Sequence, residues 1–206
     1  CIRDSVTYWQ DAALLKAADG IKKDVGTEVK GLASRYISQD DGEWKTLPKR
    51  MDSAMFCYEL LSSKYIDSEA IKPAMENTAY MLKLSAEKYG SIPYNENFPK
   101  YRLVDTIGMA CPFLIKYAVT YGEDEYISLA MDQIREYRKN GIEEKTKLPF
   151  HGFGEDSLEP LGICGWGRGC AWWAIGLTDS LRAMLESDGH NREKAELLKL
   201  SVEFFD

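Results

Sequence analysis

The sequence predicts an all-α protein assembled from repeated helical hairpins. Apolar residues recur at helical spacing along almost the whole chain, and no stretch alternates convincingly as a strand would. The helices also come in pairs, with first members starting near Asp11, Asp52, Asp105 and Cys170. These starts lie about 41 to 65 residues apart, the spacing of a helical-hairpin repeat. The turns Ser63-Lys-Tyr-Ile-Asp-Ser-Glu69 and Tyr121-Gly-Glu-Asp-Glu-Tyr126 are equivalent, and both lead into amphipathic runs.

The first helix is expected over Asp11 to Asp24, with Ala12, Leu15, Ala18 and Ile21 on one face. A weaker one covers Glu28 to Ile37, and Gln39-Asp-Asp-Gly-Glu43 is a turn. A third starts at Asp52 and carries Ala54 to Leu61. The fourth runs from Ser68 to about Lys88, with Ile71, Met75, Thr78, Leu82 and Ser85 in register. Gly90 and Pro93 end it, since both residues stop helices. A fifth covers Asp105 to Tyr121, with Pro112 placing Asp105 in a bent segment leading into the helix. The sixth covers Asp124 to Lys139, with Ile127, Ala130 or Met131, Ile134 and Tyr137 inward. A long connection from Glu143 to Gly165 precedes the seventh helix, which extends to Leu185, and an eighth covers Arg192 to Phe205.

The chain has 206 residues, enough for one domain with its own core, taken as 1–206 with about four hairpins. Net charge is −7 and no basic block stands out, which argues against nucleic acid or an anionic membrane as partner. No run reaches the roughly 18 apolar residues of a membrane span. The five cysteines, at 1, 57, 111, 164 and 170, show no paired metal-ligand spacing, and only His151 and His190 accompany them. Free thiols in a reducing, cytoplasmic compartment are the simplest account. Because the sequence begins at Cys1 rather than Met, a removed leader and a periplasmic location, or a lipid-modified Cys1, stand as alternatives.

Stacked hairpins set their first helices side by side with N-termini at one end. That end would carry Asp11, Asp52, Asp105 and the stretch Cys164-Gly-Trp-Gly-Arg-Gly-Cys-Ala-Trp-Trp173. Asp is a preferred helix N-cap, and for Asp11 and Asp52 taken singly the cap is the favoured reading. Asp105 lies among Val104, Ile107 and Met109, where partial desolvation would raise its pKa and suit it to deliver a proton. Trp166 and Trp172 offer flat faces, and Arg168 a fork of donors suited to a carboxylate. His151 sits in a Gly-rich loop between Phe150 and Phe153, and Tyr8, Trp9 and Asp11 open the first helix as another wall.

Three segments then resemble motifs of one family in order and spacing. Arg102 to Leu114 looks like the Asp-centred motif of the unsaturated glucuronyl and rhamnogalacturonyl hydrolases, glycoside hydrolase families 88 and 105. Phe150-His-Gly-Phe-Gly-Glu-Asp156 resembles their His-Gly loop, and Trp166 to Trp172 their Trp-Gly-Arg-Gly-Asn-Gly-Trp signature. The resemblance covers about residues 5 to 187. It implies an (α/α)6 barrel, of which this chain would supply about eight of twelve helices, incomplete at the C-terminus.

The resemblance also implies the reaction: water adds across the C4=C5 vinyl ether of a terminal unsaturated uronate, releasing the rest of an oligosaccharide. Asp105 would protonate C4 and activate the water, and Asp52 would position the ring or the water. Arg168 and His151 would hold polar groups, Trp166 and Trp172 would stack on the ring, and Tyr8 and Asp11 match a Tyr-x-x-Asn pocket element with Asp for Asn. Tyr94 stands where a His is common, and with Met109 it completes the expected substrate contacts. No metal or cofactor is called for, and a homodimer is compatible with the reading. Cys170-Ala171 replaces the usual Asn-Gly. A non-catalytic glycan-binding helical array is the alternative from another class. A third reading is an (α/α)6 glycosidase using paired carboxylates about 5 to 9.5 Å apart.

Overall fold

The computed structural model describes residues 8–21 and 23–206. Cys1, considered above as a free thiol or lipid-attachment point, lies outside the described residues, as does Lys22 within the expected first helix. Eight α-helices follow one another: α1 (Tyr8–Asp19), α2 (Gly26–Tyr36), α3 (Ser53–Ser62), α4 (Lys72–Tyr89), α5 (Val104–Tyr121), α6 (Glu125–Asn140), α7 (Gly167–Met184) and α8 (Asn191–Phe205). A 3-10 turn at Glu69–Ile71 leads into α4. The odd-numbered helices pack against one another in sequence, α1 on α3, α3 on α5 and α5 on α7. Each even-numbered helix packs on the one before it.

The two layers differ in residue pattern. In α3 every residue from Ser53 to Leu61 is buried, and in α5 every residue from Val104 to Ala118. Helices apolar on all sides belong between neighbours rather than at the surface. The α6 helix buries only Tyr126, Ile127, Ala130, Met131, Gln133, Ile134 and Tyr137, one stripe of an otherwise charged helix. The inner layer is therefore α1, α3, α5 and α7.

The α5–α7 crossing is the tightest. A β-carbon on Gly108 would lie 2.7 Å from the Trp172 carbonyl oxygen, and one on Gly176 would lie 2.7 Å from Ile107 Cγ2 and 2.9 Å from its carbonyl oxygen. Each helix thus offers a glycine where the other's backbone comes closest, which brings their N-termini together.

Several expectations change. The first helix begins and ends earlier than expected, so Ile21 falls beyond it and is exposed, while Ala12 and Leu15 are buried. Pro112 is accommodated inside α5, and Asp105 stands in the regular first turn of that helix rather than in a bent lead-in. Neither Asp11 nor Asp52 caps a helix. Asp11 lies one turn into α1, and Asp52, at the N-cap position of α3, makes no side-chain cap bond.

Three short strands are also present: β1 (Tyr101–Leu103), β2 (Gly152–Gly154) and β3 (Pro160–Leu161), antiparallel in the order β1-β2-β3. At two or three residues each, with two glycines in the middle strand, they are too short to show alternation. The β1–β2 pairing joins segments about fifty residues apart, whereas β2 and β3 are near neighbours in sequence.

Candidate active site

The sheet assembles the site. β1 runs directly into α5, and β2 begins directly after His151. The register pairs Leu103 with Gly152, and the Val104 N–H donates to the His151 carbonyl at 3.0 Å. His151, about fifty residues away in sequence, is thereby set over the first turn of α5. Its Nε2 lies 3.5 Å from Asp105 Oδ2.

The α7 turn closes the other side. Gly165 takes a left-handed φ of 72°, and its N–H donates to the Pro149 carbonyl at 2.9 Å, which ties the turn to the His151 loop. A β-carbon on Gly169 would lie 3.4 Å from Val104 Cγ1, so the first turns of α5 and α7 abut. Trp166 then stands between two site residues. The His151 ring meets it edge-on at 4.8 Å, and the Arg168 guanidinium carbon lies 3.8 Å from its ring centre. Arg168 is exposed and so presents its remaining donors outward.

Asp105 is 7% exposed. Burial pushes its carboxyl above the usual carboxylate range, against the opposing pull of His151 and Arg168. Its Oδ2 has no hydrogen-bond partner among the described residues. Asp52 is buried more deeply, at 2% exposed, and is likewise raised chiefly by desolvation. Arg50 Nε lies 3.4 Å from Asp52 Oδ1, and the amides of Tyr8 and Trp9 also favour the charged form. None of these reaches hydrogen-bond geometry, so both Asp52 oxygens are buried without a hydrogen-bond partner. Two desolvated carboxyls therefore stand at the starts of adjacent inner helices.

The structure thus brings Asp105, His151, Trp166 and Arg168 into one cluster. Trp172 packs behind it on Gly108, with its indole N–H buried and unpartnered. Tyr8 adjoins Asp52 but is buried in an aromatic group with Tyr36, Trp44 and Phe56. Asp11 accepts a short hydrogen bond from Tyr36, whose hydroxyl is pushed up to about 12, mainly by desolvation. Met109 is buried in the core. Tyr94 is half-buried and separates two clefts, each of about 470 Å³: one reaches His151, the other reaches Arg50.

Sequence reasoning missed Arg50, whose place beside Asp52 becomes visible only with the α3 turn built. It also missed a buried ion cluster two turns below the rim. There Lys16 Nζ lies 3.1 Å from Glu59 and 2.5 Å from Asp179. A signal for it exists. Trp9, Asp52 and Trp172 are each followed seven residues on by Lys16, Glu59 and Asp179, the same face two turns deeper. Among the described residues no group of three or more His, Cys, Asp or Glu is placed to hold a metal ion. Cys57, Cys111, Cys164 and Cys170 are free thiols, and no helix is long and apolar enough to cross a membrane.

The sequence model of Glycosyl Hydrolase Family 88 matches residues 13–202. A family 105 glycoside hydrolase from C. acetobutylicum ATCC 824 is similar in fold, with a TM-score of 0.75 at 20% identity over 96% of this chain and 57% of that one. A possible GH105 member from Salmonella enterica serovar Paratyphi A gives a TM-score of 0.75 at 17% identity over 96% and 52%. An unsaturated glucuronyl hydrolase specific for heparin gives 0.69 at 19% identity over 98% and 55%. The chain spans a little over half the length of these structures, and its hairpins follow the six-hairpin (α/α)6 fold. No curated protein sequence gives a significant match.

Proposed function

The chain belongs to glycoside hydrolase family 88, and on that premise we propose that it acts on oligosaccharides ending in an unsaturated uronic acid. The reaction is hydration of the C4=C5 vinyl ether. The observation that carries this reading is the environment of Asp105: a buried carboxyl with a raised pKa, 3.5 Å from His151 and within the field of Arg168.

The chemistry needs one group that gives a proton and then takes one back. Asp105, protonated, delivers its proton to C4, and positive charge develops at C5 beside the ring oxygen. The resulting carboxylate takes a proton from the water whose oxygen bonds to C5. One water is added and Asp105 is regenerated; the hemiketal opens to a ketone at C5 and a hemiacetal at C1, which breaks down to an aldehyde and releases the rest of the chain as an alcohol. A pKa raised by desolvation suits the first half, and the nearby His151 and Arg168 stabilise the carboxylate that the first half leaves and the second half uses.

The substrate's own carboxylate needs a partner close to C5. Arg168 stands at the N-terminal turn of α7, where free amides and the helix dipole also favour an anion. Trp166, held between His151 and Arg168, offers a stacking face. Asp52 takes the role of positioning the ring or the water from the start of α3.

The test is incubation with a lyase-generated unsaturated disaccharide, followed by loss of the vinyl-ether absorbance. Loss by the wild-type protein that vanishes in Asp105→Asn is expected. Unchanged absorbance with folded protein sinks the reading. Sugar binding that survives Asp105→Asn, without turnover by the wild type, indicates a glycan-binding protein instead.

A further inference from the structure

Beside the acid cluster lies a cleft of about 470 Å³, within the size range of small-ligand sites. Its walls are Tyr94, Phe98, Tyr101, Leu103, His151 and Leu161, with Asn95 at the edge. Phe98 is 60% exposed and Tyr101 43%, and the two rings lie 6.3 Å apart, so together they present a large open aromatic surface. We propose that this cleft is the subsite for the leaving-side sugar, and that it selects an uncharged ring presenting an apolar face. The proposal rests on the hydration reading for what occupies the neighbouring position.

The cleft is built rather than incidental. One wall is the sheet, where Leu103 and Leu161 flank Gly152 in one lateral row. The glycine leaves room for Leu103 to lie across the middle strand: a β-carbon there would meet Leu103 Cδ2 at 2.7 Å. The other wall is the segment 90–100, fastened at both ends by buried polar groups. Arg102 donates to the Tyr89 carbonyl at 2.8 Å and to the Pro99 carbonyl at 2.5 Å. Gln133 Oε1 accepts from the Ser91 hydroxyl at 2.8 Å and the Ile92 N–H at 2.9 Å. Both anchoring side chains are almost fully buried, so the aromatic wall is held in place before any sugar arrives.

Position and chemistry select the occupant. His151 belongs both to this cleft and to the Asp105 cluster, so a ring leaving from the uronate held there enters the cleft directly. Among the described residues the walls contain no Lys, Arg, Asp or Glu, and against them a sulfate or carboxylate on that ring would lose water without gaining a partner. The C–H face of a neutral pyranose against Phe98 and Tyr101 has no such cost. The second cleft, across Tyr94, is lined by Lys49, Arg50 and Glu96 and so offers charged partners that this one lacks.

Binding is measured on the Asp105→Asn protein, which leaves ligands intact. The two ligands are an unsaturated uronate linked to a neutral hexose and the same uronate as its methyl glycoside. The disaccharide is expected to bind about tenfold tighter, a gain in the range of aromatic stacking. Adding Phe98→Ala brings the two to within about twofold. Leu161→Asp, on the opposite wall, does the same and covers the case in which Phe98→Ala disturbs its segment. Equal binding of the two ligands by the Asp105→Asn protein, or binding of neither, overturns the proposal. So does a difference that survives both variants, or tighter binding of a sulfated leaving sugar that is lost in Lys49→Ala. A wild-type protein that turns over neither ligand while the tenfold difference holds sinks the hydration reading and leaves the subsite standing.

Discussion

His151 and Asp105 meet because Leu103 pairs with Gly152: the strand register, not the local sequence of either residue, sets their side chains 3.5 Å apart. The imidazole pulls the Asp105 carboxyl down against the upward push of burial. Replacing His151 with Asn removes that pull, so the Asp105 pKa rises further. Hydration begins with protonated Asp105, so activity is lost as pH rises through that pKa. His151→Asn is therefore expected to move the alkaline limb of the kcat profile to higher pH, in addition to lowering kcat. A limb that stays in place shows that His151 does not hold the Asp105 carboxyl down.

The same burial makes Asp105 a cost to the fold. Its raised pKa means the folded protein favours the neutral carboxyl. The stability this group contributes is complete below its ordinary value of 3.8, and is lost as pH rises to the folded-state value. Asp105→Asn, neutral at every pH, is expected to match the wild type in acid and to exceed it at neutral pH. The gain is roughly 1.4 kcal/mol for each pH unit separating the ordinary and folded values. Denaturant titrations at several pH values check this, and a difference that does not grow with pH removes the desolvation argument.

The α5–α7 crossing admits a direct test. A β-carbon on Gly108 would sit 2.7 Å from the Trp172 carbonyl oxygen and 2.8 Å from its ring carbon Cε3. Backbone cannot yield there without parting the helices that hold Asp105 and Arg168. Gly108→Ala is expected to cost about 1–3 kcal/mol and to lower activity. Gly31→Ala is the control. That residue is exposed within α2 with nothing within 4 Å of its added methyl, so the change should stabilise by up to about 1 kcal/mol. Paired melting curves distinguish the two.

The hairpins were legible because the central helices α3 and α5 are buried almost all round while a covering helix such as α6 carries one stripe. His151, Trp166 and Arg168 stood out because their segments are dense in glycine and aromatic residues, and Asp105 because it is a carboxyl in an apolar run. The three-stranded sheet was not, since strands of two or three residues leave no periodicity and the β1–β2 pairing joins segments about fifty residues apart. Pro112 misled for a related reason. Local preference places proline at a helix start, but the burial of α5 on every side outweighs the missing hydrogen bond. Arg50 is a surface residue, and only the assembled inner helices show that it borders Asp52.

The deepest charges on the inner face supply the last test. Lys16 of α1 reaches Glu59 of α3 and Asp179 of α7, so one ammonium ties three inner helices together below the site. Both carboxylates are almost fully buried, and Arg182 lies 3.6 Å from Asp179 on its far side. The pairing raises the Lys16 pKa although burial alone would lower it, because Asp179 and Glu59 favour its charged form. Lys16→Met keeps the length of the side chain and removes the charge. Two almost fully buried carboxylates then lose the ammonium they share, and the loss should approach about 3 kcal/mol, the lower range for a broken buried pair. Adding Glu59→Gln and Asp179→Asn removes the charges that Lys16 neutralised and should recover most of it, which a thermodynamic cycle of the variants measures. If the triple variant is no more stable than Lys16→Met, the cluster's contribution lies in packing rather than in charge.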